Sequence, residues 1–286
     1  MLNDVRLENE SLGGVARRSR SVTMPSRQYR LPVRFAMEFG LLGALLALYL
    51  FLRFSMKGSI SDAVSNAHRV VEVERAFGVF SESNLQSLAL QSQDVIRFLN
   101  AYYLLAHFTV TGLFFAWMLI RQPKAYPTVR RVLIVMTGIG LLIHAAYPLA
   151  PPRMLPDAGF IDTGRLFGPS PYGDTSEGLA NQFAAMPSLH FGWALLVAWG
   201  AVSFSRSRWR RLVILHPLLT LAAIIITANH YWLDAVVATF IFLAALKVDS
   251  ALRRLFERRR ALAWTPDGFD ATDADSAAVD SNIVAA

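Results

Sequence analysis

The chain has 286 residues, of which 54% are hydrophobic and only 17% are Asp, Glu, Lys or Arg, against about 25% charged residues in ordinary soluble domains. That deficit of charge argues against a water-soluble domain, and the absence of cysteine excludes disulfides, zinc thiolate centres and cysteine nucleophiles. The formal charge of +7 is compatible with a nucleic acid or with a membrane surface, and the placement of the basic residues decides between them.

Residues 1–30 are polar and Arg-rich without sustained periodicity, and are expected to form a disordered basic leader. A bilayer core needs about 20 mostly apolar residues per helical crossing. Six stretches qualify, at roughly 35–56, 98–120, 131–150, 187–204, 211–228 and 231–249. The first is too long for the core of a signal peptide and lacks a small-residue cleavage site, so it is read as a retained anchor. The expected fold is therefore all-α, a polytopic membrane bundle of six helices. It comprises a six-span membrane domain over residues 31–262 and an acidic tail over 263–286 carrying Asp267, Asp270, Asp273, Asp275 and Asp280.

The loops between the spans set the orientation. Of the 28 Lys and Arg residues, 21 fall on one side: the leader, the turn of Arg121 to Arg131, the turn of Arg206 to Arg211, and the stretch from Lys247 to Arg260. The other side has only 7: Arg53, Lys57, Arg69, Arg75, Arg97, Arg153 and Arg165. By the positive-inside rule both termini are cytoplasmic, and the loops 57–97 and 151–186 face outside a plasma (inner) membrane. The basic clusters then serve topology and headgroup contact, with membrane lipids as partners and no nucleic acid.

In the first outer loop, Ala63, Val64, Ala67, Val70, Val71, Val73 and Phe77 recur at helical spacing, and a second pattern covers Leu85 to Leu99. One or two amphipathic helices are expected there, either as packing cover or as a lid over a lipid-entry gap. The second outer loop carries six prolines and five glycines between Pro148 and Met186. A long irregular segment of this kind is usually functional or disordered, and this one runs directly into Pro187-Ser188-Leu189-His190.

Three polar clusters meet the outer face. At the mouth of the sixth span, His230 and Asp234 are four residues apart, so a helix places them on one face. Asp234 can accept the Nδ1–H of the imidazole and leave Nε2 as a lone pair, which is what a nucleophilic or basic histidine needs. Taken alone, the pair also reads as an interfacial histidine beside a helix-start acid. At the start of the fourth span, Pro187 suits the first helical turn. Free N–H groups around Ser188 and Leu189 suit a phosphate, and His190 suits proton donation to a leaving oxygen. Past the third span, Arg153 sits in a Pro-rich turn where its guanidinium could clamp phosphate oxygens. A histidine-rich metal site is not expected, because a helix-terminal phosphate cradle accounts for these residues, and no cofactor is implied.

Pro187-Ser188-Leu189-His190, followed 40 residues later by His230-x-x-x-Asp234, resembles the second and third motifs of the type 2 phosphatidic acid phosphatase superfamily. The turn Pro151-Pro152-Arg153-Met154-Leu155-Pro156 and the setting Asn229-His230-Tyr231 look most like its inositolphosphotransferase branch, which includes inositol phosphorylceramide synthases. The resemblance implies a metal-free lipid phosphatase or phosphotransferase working through a phosphohistidine on a lipid phosphate substrate. It implies His230 as nucleophile, Asp234 as its orienting partner and His190 as general acid, with Arg153, Ser188 and Asn229 at the phosphate. Phosphoinositol transfer is the branch-specific expectation, with water, inositol or another alcohol as acceptor. Two departures stand out. Ile224 occupies the place of an arginine that phosphatase members carry six residues before the third-motif histidine. The Lys124-x6-Arg131 spacing of the first motif is followed by Val132 in place of proline, and falls on the opposite membrane side. A small transporter or channel without hydrolytic activity is the alternative, and it would spread ionisable groups through the membrane depth.

Overall fold

The computed structural model describes residues 33, 35–41, 43, 44, 47, 51, 59–169 and 182–263. The expected leader and residues 264–286 of the expected tail lie outside them. The chain divides into two units, Met1–Leu46 and Ala47–Ala286. In the first, residues 35–41 are helical, and the rings of Phe35 and Phe39, one turn apart, stack at 5.8 Å. The expected first span, 35–56, lies only partly within the described residues.

The second unit is helical. Helix α1 spans Ile60–Ala76, α2 Glu82–Ala89 and α3 Gln93–Ala101. A π-helical turn, Tyr102–Ala106, carries α3 into α4, His107–Arg121. Then follow α5 (Tyr126–Ala146), α6 (Thr163–Phe167), α7 (Leu189–Phe204), α8 (Leu215–Ile226) and α9 (Trp232–Ala263). No strand occurs among the described residues, where Leu149 and Ala184 form a single parallel bridge.

Four helical runs are long and apolar enough to cross a membrane: Gln93–Arg121, Tyr126–Ala146, Arg208–Ile226 and Trp232–Arg259. They make the protein an integral membrane protein. Their ends differ from the sequence expectation for local reasons. Helix α5 begins at Tyr126 because Pro127 fits its first turn. It stops at Ala146 because Tyr147 precedes Pro148, and a residue before proline avoids the helical region. Helix α9 continues well past residue 249.

The expected fourth span is shorter than foreseen. Helix α7 has 16 residues, so it is about 24 Å long, less than the ~30 Å of a hydrocarbon core. It is apolar all round and packs against α4, α5, α8 and α9, which makes it the interior helix of the bundle. Gly192 and Gly200 admit Met136 and Phe114 close to its backbone, where an added Cβ would lie 2.8 and 2.5 Å from their side chains.

Helix α1 buries Ala63, Ala67, Val70 and Val71 against Leu149, Ala150, Leu155, Phe160 and Tyr231. Most of the stripe read as amphipathic therefore faces protein, while Val73 and Phe77 at its end are exposed. The second pattern of that loop splits into α2 and α3, because Ser92 starts a new helix and accepts the Val95 N–H (3.5 Å).

Candidate active site

Four of the polar residues singled out above, Arg153, His190, Asn229 and His230, converge on one cleft at the N-terminal ends of α7 and α9. It is lined by Tyr103, His144, Pro151, Arg153, Gln182, Ala184, Ala185, Leu189, His190, Asn229 and His230. The loops that carry them are tied down by backbone and side-chain bonds. Leu149 donates to Phe183 O (2.7 Å), Ala185 to Leu149 O (3.2 Å) and Ala150 to Ala63 O (3.1 Å). Asn66 Nδ2 donates to Pro148 O (2.9 Å), and the Tyr231 hydroxyl to Ala150 O (3.0 Å). Gln86 bonds both the N–H and the carbonyl of Ile161, and also Ile226 O.

His230 lies just before α9. Helix α8 ends in a turn in which the Ile224 carbonyl accepts from both Asn229 N (3.0 Å) and His230 N (3.1 Å), and Ala228 takes a left-handed φ of 54°. A non-glycine residue held at positive φ stores strain, a feature concentrated at functional sites. The side chain is then fixed twice. Its Nδ1 lies 2.8 Å from Ala185 O and 3.1 Å from Asp234 Oδ2. A carbonyl oxygen can only accept, so Nδ1 carries the hydrogen and Nε2 is left with its lone pair. The sequence pointed to Asp234 for this task; Ala185 O, from the long loop, shares it. Asp234 is fully buried, also accepts the Tyr231 N–H (3.0 Å), and its Oδ1 has no hydrogen-bond partner.

His190 is in the first turn of α7, with its ring centre 6.2 Å from that of His230. It is held between aromatic rings, at 4.4 Å from Tyr103 and 4.2 Å from His107. Tyr103 lies within the π-helical turn and His107 directly follows it, a local irregularity often found at functional sites. His107 also stacks on Trp193 at 4.9 Å.

Arg153 is 8% exposed and occupies a 3-10 turn, Pro152–Met154. Its N–H donates to Ala228 O (2.9 Å), its Nη1 to Asn229 Oδ1 (2.7 Å), and its Nε lies 3.7 Å from Asp162 Oδ2. Asn229 in turn donates to Thr227 Oγ1 (2.7 Å). Asn229 thus orients the guanidinium while lining the cleft.

Ser188 is placed differently from expectation. It is the N-cap of α7, with its Oγ accepting the Phe191 N–H (3.4 Å) and its own N–H donating to Asp234 O (3.2 Å). Being wholly buried, it ties α7 to α9 and does not line the cleft. Pro187 precedes this cap, so the helix begins two residues later than the sequence suggested. Ile224 is core. Arg131 pairs with Asp249 (2.7 Å), fifteen residues and about 22 Å along α9 from Asp234. Among the described residues no cluster of three or more His, Asp or Glu is arranged to share a metal ion.

Two acids escaped the sequence reading. Glu74 (2% exposed) and Glu82 (fully buried) accept the Leu233 N–H (2.7 Å) and the Trp232 N–H (3.2 Å) at the start of α9. A signal for Glu74 existed: it continues the buried stripe Ala63, Ala67, Val70, where an acid has no place without a partner. Burial beside Glu82 pushes the Glu74 carboxyl up to about 9. Burial also raises the Tyr231 phenol, reinforced by Asp234.

No curated protein and no solved structure was found to match the chain. A family model, described as the PAP2 superfamily, matches residues 68–248. That range begins within α1, ends within α9, and encloses every residue of the cleft. With well over half of the chain matched, and with the His190 and His230–Asp234 motifs meeting in one cleft, the chain belongs to the PAP2 superfamily of phosphatases and phosphotransferases.

Proposed function

We propose that the protein transfers the phosphoryl group of a lipid-linked phosphate through a phosphohistidine on His230. The observation that carries this reading is the double anchoring of His230 Nδ1 by Ala185 O and Asp234, which leaves Nε2 as the nucleophilic atom. Arg153, held by Asn229, neutralises the phosphate oxygens. Nε2 attacks phosphorus, and the bond to the leaving alcohol oxygen breaks as His190 protonates that oxygen. Asp234 stabilises the cationic imidazolium. His190, now neutral, takes a proton from water or an acceptor alcohol. The resulting nucleophile attacks the phosphohistidine and releases Nε2.

The Pro-Pro-Arg153 turn and Ile224 at the position of the phosphatase arginine favour an alcohol acceptor, with phosphoinositol as the transferred group. The segregation of 21 of 28 Lys and Arg residues supports a cleft on the outer side of a plasma membrane, with both termini inside.

The test is a substrate screen on the purified protein in detergent, over phosphatidate, prenyl phosphates and phosphatidylinositol, with and without inositol, and with products read by mass. Turnover in the wild type and a fall of roughly 10⁶-fold in His230→Ala are expected. Wild-type turnover in that variant would overturn the mechanism.

A further inference from the structure

An α-helix leaves its first N–H groups without internal partners, and their satisfaction decides how firmly its start is held. At the start of α9 two of these partners come from other helices. Glu74 reaches in from α1 to Leu233 N–H, and Glu82 from α2 to Trp232 N–H, while the Trp232 indole donates to Ser81 Oγ (3.1 Å). The Tyr231 N–H goes to Asp234 itself. His230 immediately precedes these capped residues. Both glutamates are buried, and Glu74 Oε2 has no hydrogen-bond partner among the described residues. Two such carboxylates side by side cannot both ionise cheaply.

We propose that Glu74 and Glu82 are positioning residues for the transfer reaction: they clamp the first turn of α9 and so hold the His230–Asp234 pair in register with the cleft. The inference rests on the reading of His230 given above. It assigns the first loop helices a task neither of cover nor of lid. The groups facing Glu74 are Glu82 from α2 and Asp234 and Tyr231 from the start of α9, with Arg153 beyond Tyr231. The rise of the Glu74 carboxyl to about 9 agrees with a proton on its free oxygen.

The experiment compares Glu74→Ala, Glu74→Asp and Glu74→Gln with the wild type and His230→Ala, in full-length protein in detergent. It reads phosphate release from phosphatidate, and orthovanadate binding as a substrate-independent probe of the cleft. Glu74→Ala lowers kcat roughly 10- to 100-fold with KM within about twofold, and weakens vanadate binding tenfold or more. Glu74→Gln, which keeps the acceptor and mimics the neutral acid, restores both. Glu74→Asp keeps the carboxyl group but withdraws the oxygen, gives the same loss, and serves if Glu74→Ala is not recovered folded. Wild-type kcat and vanadate binding in the Ala or Asp variant, or failure of Gln to rescue, overturns the proposal. Undiminished vanadate binding and turnover in His230→Ala instead overturns the underlying reading. A raised carboxyl pKa means stability present below the unfolded value, near 4.5, and lost as pH rises towards about 9. The melting temperature of the wild type therefore falls more steeply across that window than that of Glu74→Gln, and equal slopes overturn the assignment of a proton to Glu74.

Discussion

Helix α9 carries two buried aspartates, Asp234 and Asp249, and their surroundings differ. Asp249 is gripped by two cations, Arg131 Nε on Oδ1 (2.7 Å) and Arg253 Nε on Oδ2 (2.9 Å). Its charge is more than balanced and both oxygens are engaged. Asp234 meets a histidine and one backbone N–H, and its second oxygen has no hydrogen-bond partner. Burial and residue type are the same, so the partner set separates a clamp between α5 and α9 from a group that orients the imidazole of His230. A third carboxylate sharpens the contrast. Asp157 contacts His68 Nε2 at 2.8 Å, a shorter His–Asp distance than at His230. The pair is exposed, and the other ring nitrogen of His68 donates to Val64 O (3.0 Å). Both of its contacts are acceptors, which favours the cation over a form with a lone pair to offer. A His–Asp contact is not by itself a reactive centre.

The largest effect that would test this contrast is Asp234→Asn, for which kcat falls about 10⁴-fold through loss of tautomer control, while the melting temperature stays close to wild type. A loss of folding with intact specific activity would instead make Asp234 a second clamp. His190→Ala comes next, with kcat roughly 100-fold lower or more at neutral pH, measured with the same phosphate-release assay. At the other end of α9, Arg131→Ala lowers stability by about 1–2 kcal/mol in a thermal melt and leaves kcat unchanged. A kcat loss there would couple the far end of α9 to the cleft. The smallest effect is that of His68→Ala, which leaves turnover intact. Asp157 holds the His68 pKa above its usual value, so the stability the pair adds is present below about 6.5 and lost as pH rises through the folded value. The melting temperature of His68→Ala measured against pH differs from wild type only on the acid side.

The sequence by itself determined the helical class, the membrane partition and four residues that line the cleft, Arg153, His190, Asn229 and His230. Each rests on local rules: runs of apolar residues, charge in the flanking turns, and the i, i+4 spacing of His230 and Asp234. Their meeting with His190 and Arg153 needed only that the spans cross in order. Tertiary structure alone decided the rest, because the remaining contacts join segments remote in sequence. Ala185 O reaches His230 across 45 residues, and a backbone carbonyl leaves no mark in a side-chain pattern. Ser188 looked like a phosphate donor until its N–H was spent on Asp234 O. Glu74 and Glu82 lie 159 and 150 residues from the N–H groups they cap. Only the packed bundle brings those acids to the first turn of α9, where unpaired donors and the helix dipole favour a negative group.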